Sequence, residues 1–204
     1  MASVSTISGR VVKQAEDLFN RYGYSKTTAD EIARSAGISK RTLYKYFDGK
    51  QDVLEKMVEE KMHHLKHEIR QVLEEPVVFP EKLRKVISLV VTNLSGVSRH
   101  FLEDLRRNVP ETWQKLSDFR KEMVEIYYTR ILDEGIAAGH FKPGINRGVA
   151  VLVMLSAMEH VINPSTMVAL PSDLADSIPA NSEMLFDEMI RIIYEGILAG
   201  DPAL

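Results

Sequence analysis

Apolar residues recur every three or four positions through the first third of the chain, which predicts helices rather than strands. They mark a helix over residues 4–22 and a longer one over residues 50–74. Thr28 and Glu31 have the spacing of a capping box, in which each side chain bonds to the backbone N–H of the other at a helix start. Further helical patterns lie between Pro80 and Gly96 and over residues 98–108, 110–138, 146–162 and 182–200. Residues 163–181 carry several prolines and predict a long loop. With no convincing strand pattern, the expected fold is all-α, with about nine helices.

Two short helices joined by a tight turn are predicted within residues 27–52. One apolar face runs through both helices and consists of Ile32, Ala33, Ala36, Ile38, Leu43 and Phe47. Ala33 is small enough for the helices to cross closely, Gly37 permits the turn, and Ser39 can cap the second helix. This layout is typical of a helix-turn-helix, whose second helix enters the DNA major groove. The alternative is a helical hairpin packed in an ordinary bundle.

The residues off the apolar face favour DNA over a bundle neighbour. The candidate DNA-binding residues are Thr28, Ser39, Lys40, Arg41, Tyr44, Lys45, Tyr46 and Lys50. We expect Lys40, Arg41 and Lys45 to reach base edges, with Arg41 best suited to a bidentate contact with guanine. Thr28 and Lys50 stand at predicted helix starts, where free backbone N–H groups favour phosphate. Any one of these side chains is alternatively a solvated surface group.

At these residues the chain resembles the tetracycline-repressor (TetR-type) family of bacterial transcription regulators. The stretches that match are VVKQAEDLFNRYGY and GYSKTTADEIARSAGISKRTLYKYFDGKQDVL, about the first quarter of the chain. The resemblance implies a helix-turn-helix domain over residues 1–49 and an effector-binding and dimerisation domain over 50–204. The predicted helix 50–74 would link the two. The resemblance also implies a homodimer on a palindromic operator, with repression as the family default.

The charge distribution supports a DNA-binding head. The formal net charge is −3, but residues 1–50 carry nine Lys and Arg against five Asp and Glu, while the rest carries 17 against 24. A basic head on an acidic body concentrates the attraction for phosphate at one end. The chain has no Cys, no signal-peptide pattern and no apolar run long enough to span a bilayer. We therefore expect a soluble cytoplasmic protein without membrane contact.

The helices predicted over residues 146–162 and 182–200 are rich in apolar residues. The first is apolar nearly all round, so more than one of its sides must be covered. Such a pair forms either the centre of a monomer core or half of a four-helix dimer interface. The family resemblance favours the dimer.

The helices between residues 90 and 160 carry many aromatic and Met residues. These are usually core residues, but the resemblance implies a cavity for a small, largely apolar effector in this region. The candidate effector-binding residues are Thr92, Phe101, Trp113, Met123, Tyr127, Met154 and Met158. His63 and His67 are spaced as metal ligands can be on a helix, but with His64 they are better interpreted as exposed histidines. We expect no metal and no cofactor.

The preferred hypothesis is a sequence-specific DNA-binding transcriptional regulator, a repressor released by a small molecule. The alternatives are an enzyme built on a helical bundle and a helical adaptor that does not bind DNA. The chain lacks a phosphate-binding Walker loop, a nucleophile elbow and a Cys-based metal site, which counts against the enzyme. The basic face of the second short helix counts against the adaptor.

Overall fold

The computed structural model describes residues 6–162, 170–179, 184–185, 188–189 and 191–192. The described residues contain helices and turns but no strand, which confirms the all-α prediction. They divide into two compact units. Unit 1 takes in the chain up to Gln71 together with Gly96–Tyr127, and unit 2 takes in Val72–Ser95 and the described chain from Tyr128 onward. This division reports packing only, so the domain boundary expected at residue 49 stays a prediction.

Unit 1 contains the amino-terminal helices and the first part of a long helix. Its helices are α1 (Ile7–Tyr22), α2 (Ala29–Ser35), α3 (Lys40–Leu43), α4 (Lys50–Glu74, whose last residues belong to unit 2), α6 (Arg99–Asn108) and α7 (Pro110–Met123). The order of these helices and the bounds of α4 agree with the sequence pattern. Helix α1 begins later than residue 4, because Thr6 caps it by accepting a hydrogen bond from the Gly9 N–H at 3.1 Å.

The core of unit 1 is built by α1, α2, α3, α4 and α6. Its fully buried side chains include Phe19 of α1, Ile32 of α2, Leu43 of α3, Leu54 of α4 and Leu105 of α6. Burial of such side chains is the main stabilising term in folding, at about 1.5–3 kcal/mol each. The apolar face predicted for the helix-turn-helix is thus the face that lies in this core.

The long helix predicted over residues 110–138 is interrupted. After α7 the chain forms a π-helical segment (Val124–Tyr128) and continues as α8 (Thr129–Ala137). Met123, Tyr127, Ile131 and Gly135 are all buried and are spaced by four. In an α-helix a spacing of four drifts by about 40° at each step, whereas a wider π turn keeps such residues on one side. The simple prediction of one α-helix missed this adjustment.

Unit 2 is formed by α5 (Phe79–Ser95), α8, α9 (Arg147–Ile162) and a short α10 (Ser172–Asp176). Among its described residues, the buried apolar ones are Val72, Leu73, Phe79, Leu83, Val86, Ile87, Val90, Val91 and Ile131. Helix α5 begins at Phe79 rather than after Pro80, because a proline is well tolerated in the first helical turn. In the same unit Lys82 is buried and its Nζ lies 2.5 Å from Oε1 of Glu134.

The carboxyl-terminal third of the chain departs from the sequence prediction in one described segment. The loop predicted over residues 163–181 is wrong in part, because α10 lies within it. Pro171 immediately precedes this helix, and Asp173 lies in its first turn. Most of the helix predicted over residues 182–200 lies outside the described residues. Among the described residues, no helix is long and apolar enough to cross a bilayer.

Candidate nucleic-acid interface

Helices α2 and α3 meet at a tight turn around Gly37. Gly37 has φ +68°, a conformation that glycine adopts without strain. The backbone N–H of Ile38 donates to the carbonyl of Ala33 at 2.9 Å, which closes the end of α2. Ala33 is 2 % exposed and belongs to the core of unit 1, and its place at the crossing of the two helices stays a prediction.

Helix α3 is shorter than a typical recognition helix. Ser39 caps it by accepting a hydrogen bond from the Thr42 N–H at 3.0 Å, which confirms the predicted cap. After Leu43 the helical direction is continued by a turn in which the N–H of Lys45 and the N–H of Tyr46 each donate to a carbonyl three residues earlier. The polar side chains beyond Leu43 are therefore still presented on a helix-like surface.

The side chains expected to contact DNA lie on the outside of unit 1. Arg41, Tyr44, Lys45 and Tyr46 are exposed, while Leu43 between them is fully buried. Tyr44 and Tyr46 expose about half of their surface, at 49 % and 51 %. The arrangement presents two cations and two phenol groups to the solvent from a single turn of chain.

Lys40 and Thr28 are exposed but engaged with acidic neighbours. The Nζ of Lys40 lies 2.8 Å from Oδ1 of Asp30, and this bond raises the pKa of the Lys40 ammonium. Glu31 completes the predicted capping box: its Oε2 accepts from the Thr28 N–H and hydroxyl, both at 2.8 Å. These hydrogen bonds lower the pKa of the Glu31 carboxyl. A phosphate at Thr28 would compete with Glu31 for these donors.

Lys50 starts α4, and its ammonium is half-buried against the loop after α1. Its Nζ donates to the carbonyl of Tyr24 at 2.8 Å and lies 4.0 Å from the centroid of the Tyr24 ring. Burial lowers the pKa of Lys50, while the charges of Asp104 and Glu31 raise it. A lysine ammonium has three donors, so donors remain for a phosphate beside the one used on Tyr24.

The loop between α1 and α2 is held by a residue that sequence reasoning missed. Asp104 of α6 accepts hydrogen bonds from the backbone N–H and the hydroxyl of Ser25. Neither residue belongs to the helix-turn-helix motif, and they are 79 positions apart in the chain. The one sequence feature that could have indicated this contact is an acidic residue between the apolar positions of α6. Acidic residues are common on exposed helix faces, so this feature is not specific.

The seven candidate effector-binding residues are divided between the two units. Phe101, Trp113, Met123 and Tyr127 belong to unit 1, and Thr92, Met154 and Met158 belong to unit 2. Phe101 is buried and stacks on Phe19 with ring centroids 5.8 Å apart, which gives it a packing role in the core of unit 1. Trp113 is partly buried, and Arg120 lies over its ring at 5.6 Å. The side chain of Met158 lies outside the described part of the chain, and the effector role of all seven stays a prediction.

Two other predicted features are visible in the described residues. Helix α9 exposes Val149, Leu152, Val153 and Leu155, large apolar side chains that leave it only partly covered. On α4, His63, His64 and His67 are not buried, and Nε2 of His64 lies 3.3 Å from Oε2 of Glu68. In the described part of the chain, no group of three metal-ligating side chains comes together.

Comparison with known proteins gives the amino-terminal segment a family. Residues 11–57 match the family model of bacterial regulatory proteins of the tetR family. The fatty acid metabolism regulator protein of Bacillus subtilis is 27 % identical over 191 residues, which span 92 % of this chain and 94 % of that protein.

Solved structures share the fold over nearly the whole chain. The fatty acid degradation regulator FadR from Bacillus halodurans superposes with a TM-score of 0.69 at 21 % identity, over 95 % of this chain and 97 % of that one. FadR from Bacillus subtilis, solved in complex with stearoyl-CoA, gives a TM-score of 0.67 at 24 % identity, over 93 % and 98 %. From its helix-turn-helix and the family match over residues 11–57, the amino-terminal segment of this chain is that of the bacterial regulatory proteins of the tetR family.

Proposed function

We propose that this protein is a homodimeric repressor that binds a palindromic DNA operator in the cytoplasm and releases it when a small effector binds. The observation that carries the proposal is the exposed surface of α3 and the turn after it. Arg41 and Lys45 stand there beside Tyr44 and Tyr46, while Leu43 anchors the same turn in the core. Cations and hydroxyl groups of this kind contact bases and phosphates, whereas a bundle neighbour would require apolar groups.

The DNA contacts divide into two classes. Arg41, Lys40 and Lys45 are assigned to base edges in the major groove, with Ser39, Tyr44 and Tyr46 beside them. Thr28 and Lys50, at the starts of α2 and α4, are assigned to phosphates. Two copies of α3 must lie about 34 Å apart, or a multiple of it, to enter successive major grooves.

The second copy is proposed to cover the apolar face of α9. Val149, Leu152 and Val153 recur at helical spacing and are exposed in the single chain. Monomeric proteins rarely leave such a continuous apolar face in water. A helix paired with its own copy would bury these side chains and fix the spacing between two DNA-binding heads.

The proposed effector class is the fatty acyl-CoA thioester. A relative of similar length is named a fatty acid metabolism regulator, and a structural neighbour was solved with stearoyl-CoA. The aromatic and Met residues proposed as the effector site would suit an acyl chain, because Met adapts to long flexible ligands. Release of DNA requires that the effector bind the DNA-free form more tightly than the DNA-bound form.

The DNA-binding part is tested by selecting fragments from the source genome with the purified protein and measuring their affinity at several salt concentrations. We expect enrichment of a palindrome and a steep fall in affinity with salt. With Arg41→Ala the enriched palindrome should lose its preference at one base position in each half-site. Arg70→Ala is the matched control, because Arg70 is an exposed cation roughly 30 Å along α4 from Lys50. Absence of any enriched sequence with the wild-type chain would contradict the proposal.

The effector part is tested by adding stearoyl-CoA to the protein–operator complex, with coenzyme A alone and stearate alone as controls. We expect release of DNA by the thioester and a change in the emission of Trp113, the only tryptophan in the chain. Release by stearate alone would assign recognition to the acyl chain. No response to any of the three would contradict the proposed effector class and leave the DNA-binding proposal standing.

A further inference from the structure

Helix α6 holds the loop that leads from α1 into the helix-turn-helix. The carboxylate of Asp104 accepts a hydrogen bond from the backbone N–H of Ser25 at 2.7 Å and one from its hydroxyl at 2.5 Å. Asn108, one turn further along α6, donates to the same carboxylate at 2.6 Å. Asp104 is only 9 % exposed, so these charge-assisted bonds are largely shielded from water.

Gly23 allows α6 to approach this loop so closely. A Cβ atom on Gly23 would lie 2.8 Å from Oδ2 of Asp104 and 2.8 Å from Nε2 of His100. Gly23 also has φ +86°, which a residue with a side chain rarely adopts. The N–H of Ser98, the cap of α6, donates to Oδ1 of Asn20 at 2.9 Å. The end of α1 and the following loop are therefore fastened to α6 at several points.

The charge of Asp104 also acts on the residues that the loop presents. Burial raises the pKa of the Asp104 carboxyl, but the hydrogen bonds from Ser25 and Asn108 and the nearby His100 lower it overall. The carboxylate stays ionised, and its charge opposes the effect of burial on the pKa of Lys50. Lys50 in turn donates to the carbonyl of Tyr24, the residue before Ser25.

Thr28, Ser25 and Lys50 are thus connected through one short loop. Ser25 is fixed by Asp104, Tyr24 is fixed by Lys50, and the loop ends at Thr28, whose hydroxyl caps α2. Thr27 stabilises the loop from inside, because its buried hydroxyl donates to the carbonyl of Gly23 at 2.8 Å. A shift of α6 would move this loop, and with it the donors at the starts of α2 and α4.

We infer that Asp104 is a positioning residue for DNA binding: by holding Ser25 it fixes the loop that ends at Thr28 and that accepts a hydrogen bond from Lys50, and so places both phosphate contacts. Asp104 itself does not touch DNA. The inference rests on the proposed function, since it needs Thr28 and Lys50 to be phosphate contacts.

Loss of positioning and loss of a negative charge would change the DNA affinity in opposite directions. Removing a carboxylate from a DNA-binding protein lowers the repulsion of phosphate and should tighten binding to all DNA. Loss of positioning should instead weaken binding and reduce the number of phosphates neutralised. The salt dependence of the affinity measures that number, since its logarithmic slope falls by about 0.9 for each phosphate that the protein no longer neutralises.

The test measures the affinity of the full chain for its selected operator at several salt concentrations. Asp104→Ala is expected to weaken binding about tenfold and to reduce the salt slope by ~1–2, because without the two charge-assisted bonds Thr28 and Lys50 no longer reach their phosphates. Glu103→Ala is the matched control, because it removes the same charge from the adjacent position of α6, where the carboxylate bonds to exposed Arg99. It should leave the slope unchanged and the affinity equal or slightly higher.

A milder variant keeps the positioning role testable if Asp104→Ala does not fold. Ser25→Ala removes one of the two bonds and keeps the backbone N–H on Asp104, so we expect about threefold weaker binding. In the Asp104→Ala background, Ser25→Ala should have no further effect on DNA affinity. If Asp104→Ala does not fold, the salt slope of Ser25→Ala tests the positioning role instead. Partial unfolding would lower the affinity by the same factor at every salt concentration and leave the slope intact.

The possible results distinguish a failure of the positioning role from a failure of the proposed DNA-binding function. A wild-type chain that binds DNA together with variants of unchanged slope would overturn the positioning role alone. A wild-type chain that binds no DNA would overturn the proposed function and this inference with it. A lower slope in Asp104→Ala and Ser25→Ala, but not in Glu103→Ala, would support the positioning role.

Discussion

Lys40, the first residue of α3, forms an ion pair with Asp30 of α2, with Nζ and Oδ1 2.8 Å apart. The cation best placed at the start of the recognition helix is thus partly neutralised before it meets DNA. Both side chains are more than half exposed, so the pair contributes little to stability, and we expect its effect on DNA binding instead.

Asp30→Asn should therefore increase DNA affinity. With the carboxylate removed, Lys40 is free to neutralise a phosphate or reach a base, and we expect the salt slope to steepen by up to ~1. Asp17→Asn is the control, because it makes the same charge change on the exposed side of α1, outside the helix-turn-helix. An identical slope in the two variants would show that Asp30 does not restrain Lys40.

Arg41→Ala should relax base preference rather than weaken binding uniformly. A bidentate arginine contact to guanine is worth about 1–3 kcal/mol of discrimination, so one base position in each half-site should lose its preference. The measurement is a competition between operators that differ at single positions. A loss of affinity that is equal for all sequences would assign Arg41 to phosphate instead.

Lys50→Met should weaken binding to every DNA sequence alike and lower the salt slope by ~1. Lys56→Met is the matched control on the same helix, where the ammonium is exposed and paired with Glu60 at 3.6 Å. Lys50 also donates to the carbonyl of Tyr24, so the thermal stability of the variant should be measured alongside. An unchanged slope would remove Lys50 from the phosphate contacts.

Gly23→Ala should destabilise the protein more than Gly37→Ala. Both glycines have positive φ, so both variants carry backbone strain of order 1–3 kcal/mol. At Gly23 the new Cβ would also collide with Asp104 and His100, whereas at Gly37 nothing lies within 4 Å. The difference between the two urea midpoints therefore reports the collision together with the backbone strain at Gly23, whose φ of 86° and ψ of 161° define a conformation that only glycine adopts readily. Equal midpoints would mean that α6 moves away from the loop without cost to the free energy of unfolding.

If α9 forms the proposed dimer interface, Val153→Glu should give monomers or insoluble protein, because a buried charge at an apolar interface has no partner. Val78→Glu is the control, since Val78 is 70 % exposed and lies outside α9. Sedimentation of the two variants gives the oligomeric state. A soluble, folded and fully dimeric Val153→Glu protein would place the interface elsewhere. Ile193, in the helix predicted over residues 182–200, is a second position expected at this interface, and it lies outside the described residues.

Local signals in the sequence were sufficient for the helix-turn-helix. The capping box at Thr28 and Glu31 and the cap at Ser39 each depend on contacts within three residues, and the structure confirms them. The buried face that runs through Ile32, Leu43 and Phe47 follows from helical periodicity. These features involve neighbours along the chain, so residue type and spacing determine them.

The π-helical interruption after α7 could not be predicted from local signals in the sequence. A run of helix-forming residues from Pro110 to Ala137 predicts one α-helix, and nothing local opposes it. The π-helical segment Val124–Tyr128 contains Tyr127, which is buried in unit 1, and is followed by Ile131, which is buried in unit 2. Periodicity alone does not show which of several apolar residues the rest of the fold will cover.

By itself, the sequence determined the all-α class, the helix-turn-helix, its buried face and the residues exposed around α3. Only the tertiary structure decided how the polar groups of this region are engaged: Lys40 with Asp30, Lys50 with Tyr24, and Ser25 with Asp104. Helix starts and turns are set by bonds between near neighbours, which composition and spacing reveal. Pairing between residues 26 or 79 positions apart depends on how helices pack, and many pairings of similar energy are compatible with one sequence pattern until packing selects among them.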